Sequence, residues 1–377
     1  MTSRCPDLTR LAVLRDFREE RWPSMDLCAD MLLTNLPRVA PDFYAVDCSP
    51  AYRRRLTTVP LVRRRAFAEN ADRLLNRFRT YPLYVRRIRN DYAAFHLVDH
   101  SYSQLVHELP AERTGVYCHD LDTFRSLLHP DEEPRPRWFR EMMTRVLDGM
   151  RRAAIIFHTT AVVGREIVAA GIAPAARLVH APNGVAPEYL AAPSAPSPLP
   201  PGPPYVLHVG SCIDRKRIDV LLDVFARLRR DRELRLTQVG GRWTERQIEQ
   251  IASLGIADRV VQLAGCSRPE LAVLYRNAAI VLQPSDAEGF GLPVVEALAC
   301  GANVVASDIP VLREIGGDAV SFAPVADIPA WNDVAGRLLD APETAPSLEV
   351  RRAWAAKFTW EAQARTIAAA YRKLLGG

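Results

Sequence analysis

Residues 279–307 read AIVLQPSDAEGFGLPVVEALACGANVVAS. A short apolar run ends at Ser285, a polar turn DAEGFG follows, an apolar segment runs from Pro293 to Gly301, and NVVAS is apolar again. Apolar runs this short read as buried strands, and the longer one between them as a helix. A strand followed by a helix and another strand predicts parallel neighbours, because the helix carries the chain back to the edge it left. Pro293 suits the first helical position and Gly301 the stop. Gly289 and Gly291 allow the turn between to bend with its amides exposed.

The same alternation extends outward from this unit. Downstream of residue 204, YVLHVG, LRLTQVG, RVVQLAG and AIVLQP read as strands, separated by the helical stretches IDVLLDVFARLRRD, TERQIEQIASLG and PELAVLYRNA. The first half repeats the pattern less cleanly through LAVLRD, FHLVDH, TGVYCHD, AAIIFHT and ARLVHAPNG, with a helix through MDLCADMLLTNL. Between the halves lies AAPSAPSPLPPGPP (191–204), whose prolines cannot join a ladder and read as a semi-rigid linker. The expected architecture is α/β: two Rossmann-like, doubly wound domains facing a central cleft. The divisions are 1–190, the linker 191–204, 205–357, and a closing helix 358–377 that packs back toward the first domain.

With 377 residues, the chain is long enough for two cores. It has no apolar run long enough to span a bilayer and no secretory h-region at its start, so a cytoplasmic location is expected. Seven cysteines at 5, 28, 48, 118, 212, 266 and 300, without a C-x-x-C pair, argue against a zinc cage or disulfide framework. The net charge of +5 resides in the first half. Segment 51–90 holds twelve arginines against Glu69 and Asp72, interleaved with Leu61, Phe67, Leu74, Leu75, Phe78, Tyr81 and Tyr84. That composition fits peripheral contact with anionic lipid at the inner membrane face, and equally a solvated helix face; nucleic acid is not expected.

Chemistry concentrates around the turn at 285–292. Glu288 lies on the turn and Glu296 one helical turn inside, so both carboxylates can face one cleft, beside helix-start amides that suit a phosphate. Acidic residues near a helix start are also favoured by the dipole alone. The DRKR turn at 214–217 follows the strand YVLHVG and brings Arg215 and Lys216, either as a solvated turn or as a diphosphate contact. His119 ends the strand GVYC, and Arg242 with Trp243 follow LTQVGG, where an exposed turn explains them as well as a nucleotide pocket does.

EGFGLPVVEALACGANVVASDIPVLREIGGDAV (288–320) closely resembles the E-x7-E signature of the retaining, nucleotide-sugar-dependent glycosyltransferases of the GT-B fold. VLHVGSCIDRKRIDVLLDVFARL, ADRVVQLAGCSRPELAVLYRNAAIVLQPSDAEGFG and FTWEAQARTIAAAYRKLL extend the likeness over most of 205–377, while YCHDLDTF, HTTAVVGREI and HAPNGVAPEYL carry it more patchily in the first half. The resemblance implies that Glu288 holds donor-sugar hydroxyls and Glu296 the ribose of the nucleotide. The amides of Gly289, Phe290, Gly291 and Leu292 would meet sugar and diphosphate oxygens. Lys216 and Arg215 would neutralise the leaving diphosphate, and His119 would lie near the reaction centre. It implies transfer from a nucleoside-diphosphate sugar to a glycan or lipid-linked acceptor, with no metal and no further cofactor.

Two features depart from the family pattern. Ser211 stands where many relatives carry arginine after the HVG glycine, so Arg215 is expected to supply part of that charge. The turn after the first strand, DFREERWPSMDL, has no glycine, and Ser24 is expected to cap the helix that follows. HDLD (119–122) contains a D-x-D, read as non-metal because it follows a first-domain strand. A sugar phosphorylase or nucleotide-sugar epimerase on the same scaffold stays open, as does a silent nucleotide-sugar-binding homologue. A dinucleotide oxidoreductase lacks its G-x-G-x-x-G.

Overall fold

The computed structural model describes residues 8–59 and 66–376; Cys5, Leu61 and the arginines at 63–65 lie outside the described residues. Contacts divide the chain into two units, residues 1–182 with 360–377, and residues 183–359.

In the first unit, strands β1 (Thr9–Leu14), β2 (Phe43–Asp47), β3 (Ala94–Leu97), β4 (Thr114–Cys118), β5 (Ile155–His158) and β6 (Leu178–His180) form one parallel sheet in the order β2-β1-β3-β4-β5-β6. The helices are α1 (Pro23–Val39), α2 (Ala66–Leu75), α3 (Tyr81–Ile88), α4 (Arg125–Leu128), α5 (Arg137–Arg152) and α6 (Ala161–Ala169), with a π turn, Asn76–Thr80, between α2 and α3. β3, β4 and β5 are buried along their whole length, as expected of central parallel strands covered on both faces. Their near-continuous apolar runs made them legible, whereas β2 is an edge strand of mixed exposure and carries no clear signal.

In the second unit, β7 (Tyr205–Val209), β8 (Arg235–Val239), β9 (Val260–Leu263), β10 (Ile280–Gln283), β11 (Val304–Ser307) and β12 (Ser321–Ala323) are parallel in the order β12-β11-β10-β7-β8-β9. Around them lie α7 (Pro187–Leu190), α8 (Ile218–Leu228), α9 (Glu245–Ser253), α10 (Arg268–Asn277), α11 (Leu292–Cys300), α12 (Pro310–Gly316), α13 (Ile328–Asp340) and α14 (Leu348–Ala355). Trp331 on α13 and Phe225 on α8 fill the core, and the Trp331 indole donates to the Pro324 carbonyl at 2.9 Å. The last helix, α15 (Trp360–Leu375), belongs to the first unit and packs on α1. There the Tyr371 hydroxyl donates to the Phe95 carbonyl at 2.8 Å, and Gln363 Nε2 donates to the Tyr117 hydroxyl at 2.9 Å.

Several local readings are corrected. Ser24 does not cap α1: Pro23 is already helical, Trp22 is the cap residue, and no side chain bonds the first turn, because the proline's fixed φ starts the helix one residue earlier. α11 likewise begins at Leu292, which puts Pro293 second. The units divide at 182/183 rather than at 190, because α7 packs on α10 and α11. The proline-rich stretch carries no helix or strand and is tied to the second unit by Arg235 Nη1, 2.9 Å from the Pro200 carbonyl, and by Arg276 Nη2, 2.5 Å from the Ala191 carbonyl.

Part of segment 51–90 is interior. Asp72 is fully buried and accepts from the amides of Arg55, Leu56 and Thr57 and from the Thr57 hydroxyl. Burial alone would raise its pKa, but these donors hold it at about 2. Tyr81 is also fully buried, while Phe67, Leu74 and Leu83 face solvent.

Candidate active site

In each sheet the strand order reverses once, between β1 and β3 in the first and between β7 and β10 in the second. Open parallel sheets leave a crevice beyond the strand ends at such a point, and ligands bind there.

At the second reversal, β7 runs into a 3₁₀ turn, Asp214–Lys216, closed by Arg217 in the left-handed region at φ 49°, ψ 49°. An arginine pays for that conformation only where its surroundings hold it; here Arg217 Nη2 lies 2.8 Å from Asp219 Oδ2. The turn delivers Lys216 to the end of β10. Its Nζ is 2.5 Å from Glu288 Oε1, and the same oxygen accepts from Gln283 Nε2 at 2.8 Å and Ser285 Oγ at 2.7 Å. Arg215 Nη1 stands 3.7 Å from Glu288 Oε2 and donates to the Ala287 carbonyl at 3.2 Å. Burial alone would raise the Glu288 pKa, yet the charges of Lys216 and Arg215, with the hydrogen bonds from Lys216 and Ser285, hold it at about 2. Glu288 is therefore a fixed carboxylate at neutral pH. Lys216 Nζ has three hydrogens and gives one to Glu288, so it can bridge this carboxylate to a second anion.

α11 starts immediately after. Gly291 is its cap residue at φ 95°, so the backbone favours glycine, and a Cβ there would stand 2.8 Å from Leu312 Cδ2, which would have to shift. Gly289 does not use positive φ. Phe290 is buried edge-on against Phe358, with ring centroids 5.7 Å apart, so its side chain packs inward. Glu296, one turn into the helix, is buried, and its Oε2 accepts from the Tyr275 hydroxyl at 3.0 Å. Burial dominates its titration, opposed by hydrogen bonds from Tyr275 and Tyr189 and by the charge of Arg268, and its pKa is raised to about 7.

His119 follows β4 in the first unit. Its Nε2 lies 2.8 Å from the Val98 carbonyl, to which it donates, and burial lowers its pKa, leaving a neutral imidazole with Nε2 protonated. Its neighbours come from the first reversal point. His100 Nδ1 lies 3.0 Å from Asp99 Oδ1, and despite burial the Asp99 charge raises the pKa of His100. Asp16, at the end of β1, is buried beside Asp99; burial and that charge raise its pKa well above the usual range. Asp120 of the D-x-D accepts the Asp122 amide at 3.1 Å, a bond local to its own turn.

The structure thus brings together Lys216, Arg215 and Glu288, with Gly289, Phe290, Gly291, Leu292 and Glu296 continuing along one turn and helix. His119 belongs to the other unit. Gln283, Ser285, Tyr189 and Tyr275 escaped the sequence reading. For Gln283 a signal existed, a polar residue closing an otherwise apolar strand; the tyrosines lie in helices where they read as core. Trp243 is half-buried against the core of the second unit, with Arg242 exposed beside it.

Residues 193–355 match the family described as "Glycosyl transferases group 1". The MMP alpha-(1->4)-mannosyltransferase of Mycolicibacterium hassiacum is 37% identical over 166 residues, which is 42% of this chain and 40% of that protein. The match therefore spans well under half the length of that curated relative. O-antigen chain mannosyltransferase B of Escherichia coli is 27% identical over 318 residues, covering 78% of this chain and 81% of its own. Among solved structures, Anabaena HepE in complex with UDP and glucose superposes with a TM-score of 0.71 at 16% identity, covering 96% of this chain and 98% of that one. The two parallel six-stranded sheets with their surrounding helices are those of the GT-B fold. Residues 193–355, on that fold, are thus similar to the glycosyltransferase group 1 family.

Proposed function

We propose that this protein transfers a sugar from a nucleoside-diphosphate sugar to an acceptor hydroxyl, with retention at the anomeric carbon. The observation that carries the reading is the ion-paired set of Lys216, Arg215 and Glu288 at the strand-order reversal of the second sheet, beside the start of α11. Glu288, ionised and held from three sides, accepts donor-sugar hydroxyls through its remaining lone pairs. Lys216 and Arg215 face the diphosphate, and the amides of 289–292 take oxygens of the sugar and phosphates. Charge builds on the diphosphate as its bond to the anomeric carbon breaks, and preplaced cations stabilise that state more than the ground state. The acceptor oxygen bonds the same face of that carbon, and its proton passes to the departing phosphate oxygen. Glu296 accepts from the ribose diol. The transfer uses the two basic side chains in place of a metal. Relatives that are mannosyltransferases, and a structural neighbour solved with UDP, support a nucleotide-sugar donor.

The acceptor is a glycan or a lipid-linked sugar met at the inner face of a membrane. Exposed Phe67 (71%), Leu74 and Leu83 among the arginines of 66–89 support a lipid-facing surface. Flotation with vesicles containing anionic lipid at low salt is expected to carry the native protein and to lose Phe67→Ser with Leu83→Ser; failure of the native protein to float ends this part of the reading.

The donor reading is tested by thermal melts with UDP, GDP, ADP and their hexose conjugates in EDTA. One nucleotide family is expected to raise the melting temperature, with the shift abolished in Glu296→Ala. No shift with any of them refutes the reading.

A further inference from the structure

Glu296 does not stand alone at the start of α11. Its Oε2 is 3.0 Å from the Tyr275 hydroxyl on α10, and the Tyr189 hydroxyl on α7 also favours its charged form. The two rings meet edge to face, with centroids 5.9 Å apart. Tyr189 is itself fixed, because its carbonyl accepts from Arg276 Nη2 at 2.9 Å and from Cys300 Sγ at 3.6 Å. All three side chains are buried. A carboxylate buried this deeply keeps its charge only if donors face it, and here two phenols from two different helices do so.

We infer that Tyr275 and Tyr189 are positioning residues for donor binding: their hydroxyls hold Glu296 as an aimed carboxylate, ready for a nucleotide diol. The inference rests on the donor reading above and gives α7, a four-residue helix next to the proline-rich stretch, a part in the nucleotide site. A ribose diol donates two hydrogens, so a carboxylate accepts both, while a neutral carboxyl group spends one oxygen on its own proton. The remaining titratable and charged groups around Glu296 are Glu188 on α7, Arg268 on α10 and Cys300 on α11. Arg268 opposes protonation of Glu296 and Glu188 favours it, with Arg268 Nη1 3.4 Å from Glu188 Oε1. The Cys300 thiol is itself pushed up to about 12 by burial, so it stays neutral where Glu296 titrates. With its pKa at about 7, Glu296 changes charge near neutral pH, and loss of one phenol donor moves that midpoint upward.

The test uses the full chain in its native, Tyr275→Phe, Tyr189→Phe and Glu296→Gln forms. Carbon-13 carboxyl NMR on glutamate-labelled protein, with the Glu296 signal identified by its loss in Glu296→Gln, reads the midpoint without any ligand. UDP and GDP binding by calorimetry from pH 5.5 to 9 reads its use. The native protein is expected to bind one of these nucleotides more weakly as the pH falls below about 7. In each Phe variant the NMR midpoint and the binding profile are expected to move up together by about one pH unit, so that affinity drops about tenfold on the acid limb and recovers toward pH 9. In Glu296→Gln the profile is flat. A midpoint unchanged in both Phe variants overturns the inference; should Tyr275→Phe fail to fold, Tyr189→Phe decides. A midpoint that moves while Glu296→Gln binds as tightly as the native protein overturns the donor reading of Glu296, a different failure from the first.

Discussion

Replacing Lys216 by methionine keeps most of the side-chain volume and removes the charge that faces Glu288. The magnitude follows from the site. Glu288 titrates at about 2 against an ordinary 4.5 although burial pushes it the other way. That displacement corresponds to about 3 kcal/mol of interaction favouring the carboxylate, and stranding one member of a buried pair costs about 3–5 kcal/mol. Because the native pKa is depressed, this stabilisation is present above pH 4.5 and is lost as the pH falls toward 2. At neutral pH, Lys216→Met is therefore expected to cost about 3 kcal/mol, and the acid-limb slope that Glu288 contributes should shrink. Urea unfolding, with hydrogen exchange in β7 and β10 to read the second unit by itself, measures the loss. Glu288→Gln with Lys216→Met closes the cycle: a neutral amide strands no charge, so the double variant should cost clearly less than the sum of the singles. A Lys216→Met variant within about 0.5 kcal/mol of the native protein, or a coupling that small, would refute the account, since contacting pairs couple by about 0.5–3 kcal/mol.

Two further outcomes follow from local geometry. Gly291→Ala forces a side chain into φ 95° and against Leu312, and should cost about 1–3 kcal/mol, read as a lowered melting temperature; an unchanged melt would show that the cap is not under this constraint. Asp72→Ala leaves three backbone amides and the Thr57 hydroxyl without their acceptor, and hydrogen exchange at residues 55–57 should accelerate by at least tenfold while β3 to β5 stay protected. Equal protection in both proteins would mean that the carboxylate does not hold this loop.

The sequence by itself determined the parallel, doubly wound class, because central strands buried on both faces must be apolar throughout and the helices between them amphipathic. It also set the turn at 285–292, since Gly291 meets a backbone need that local spacing reveals, and it placed Glu288 and Glu296 along one turn and helix. Such features depend on residues a few positions apart. What joins Lys216 to Glu288 is different: β10 lies next to β7 rather than next to β9, and only that strand order sets side chains 72 residues apart against each other. The partnership of Glu296 with Tyr275 and Tyr189, and the place of α15 in the first unit, arise the same way. Periodicity tells which face of an element is buried but not which neighbour covers it. The charge state of each glutamate is set by its surroundings: cations face Glu288 and keep it ionised, while burial, offset only in part by phenol donors, leaves Glu296 with a pKa of about 7.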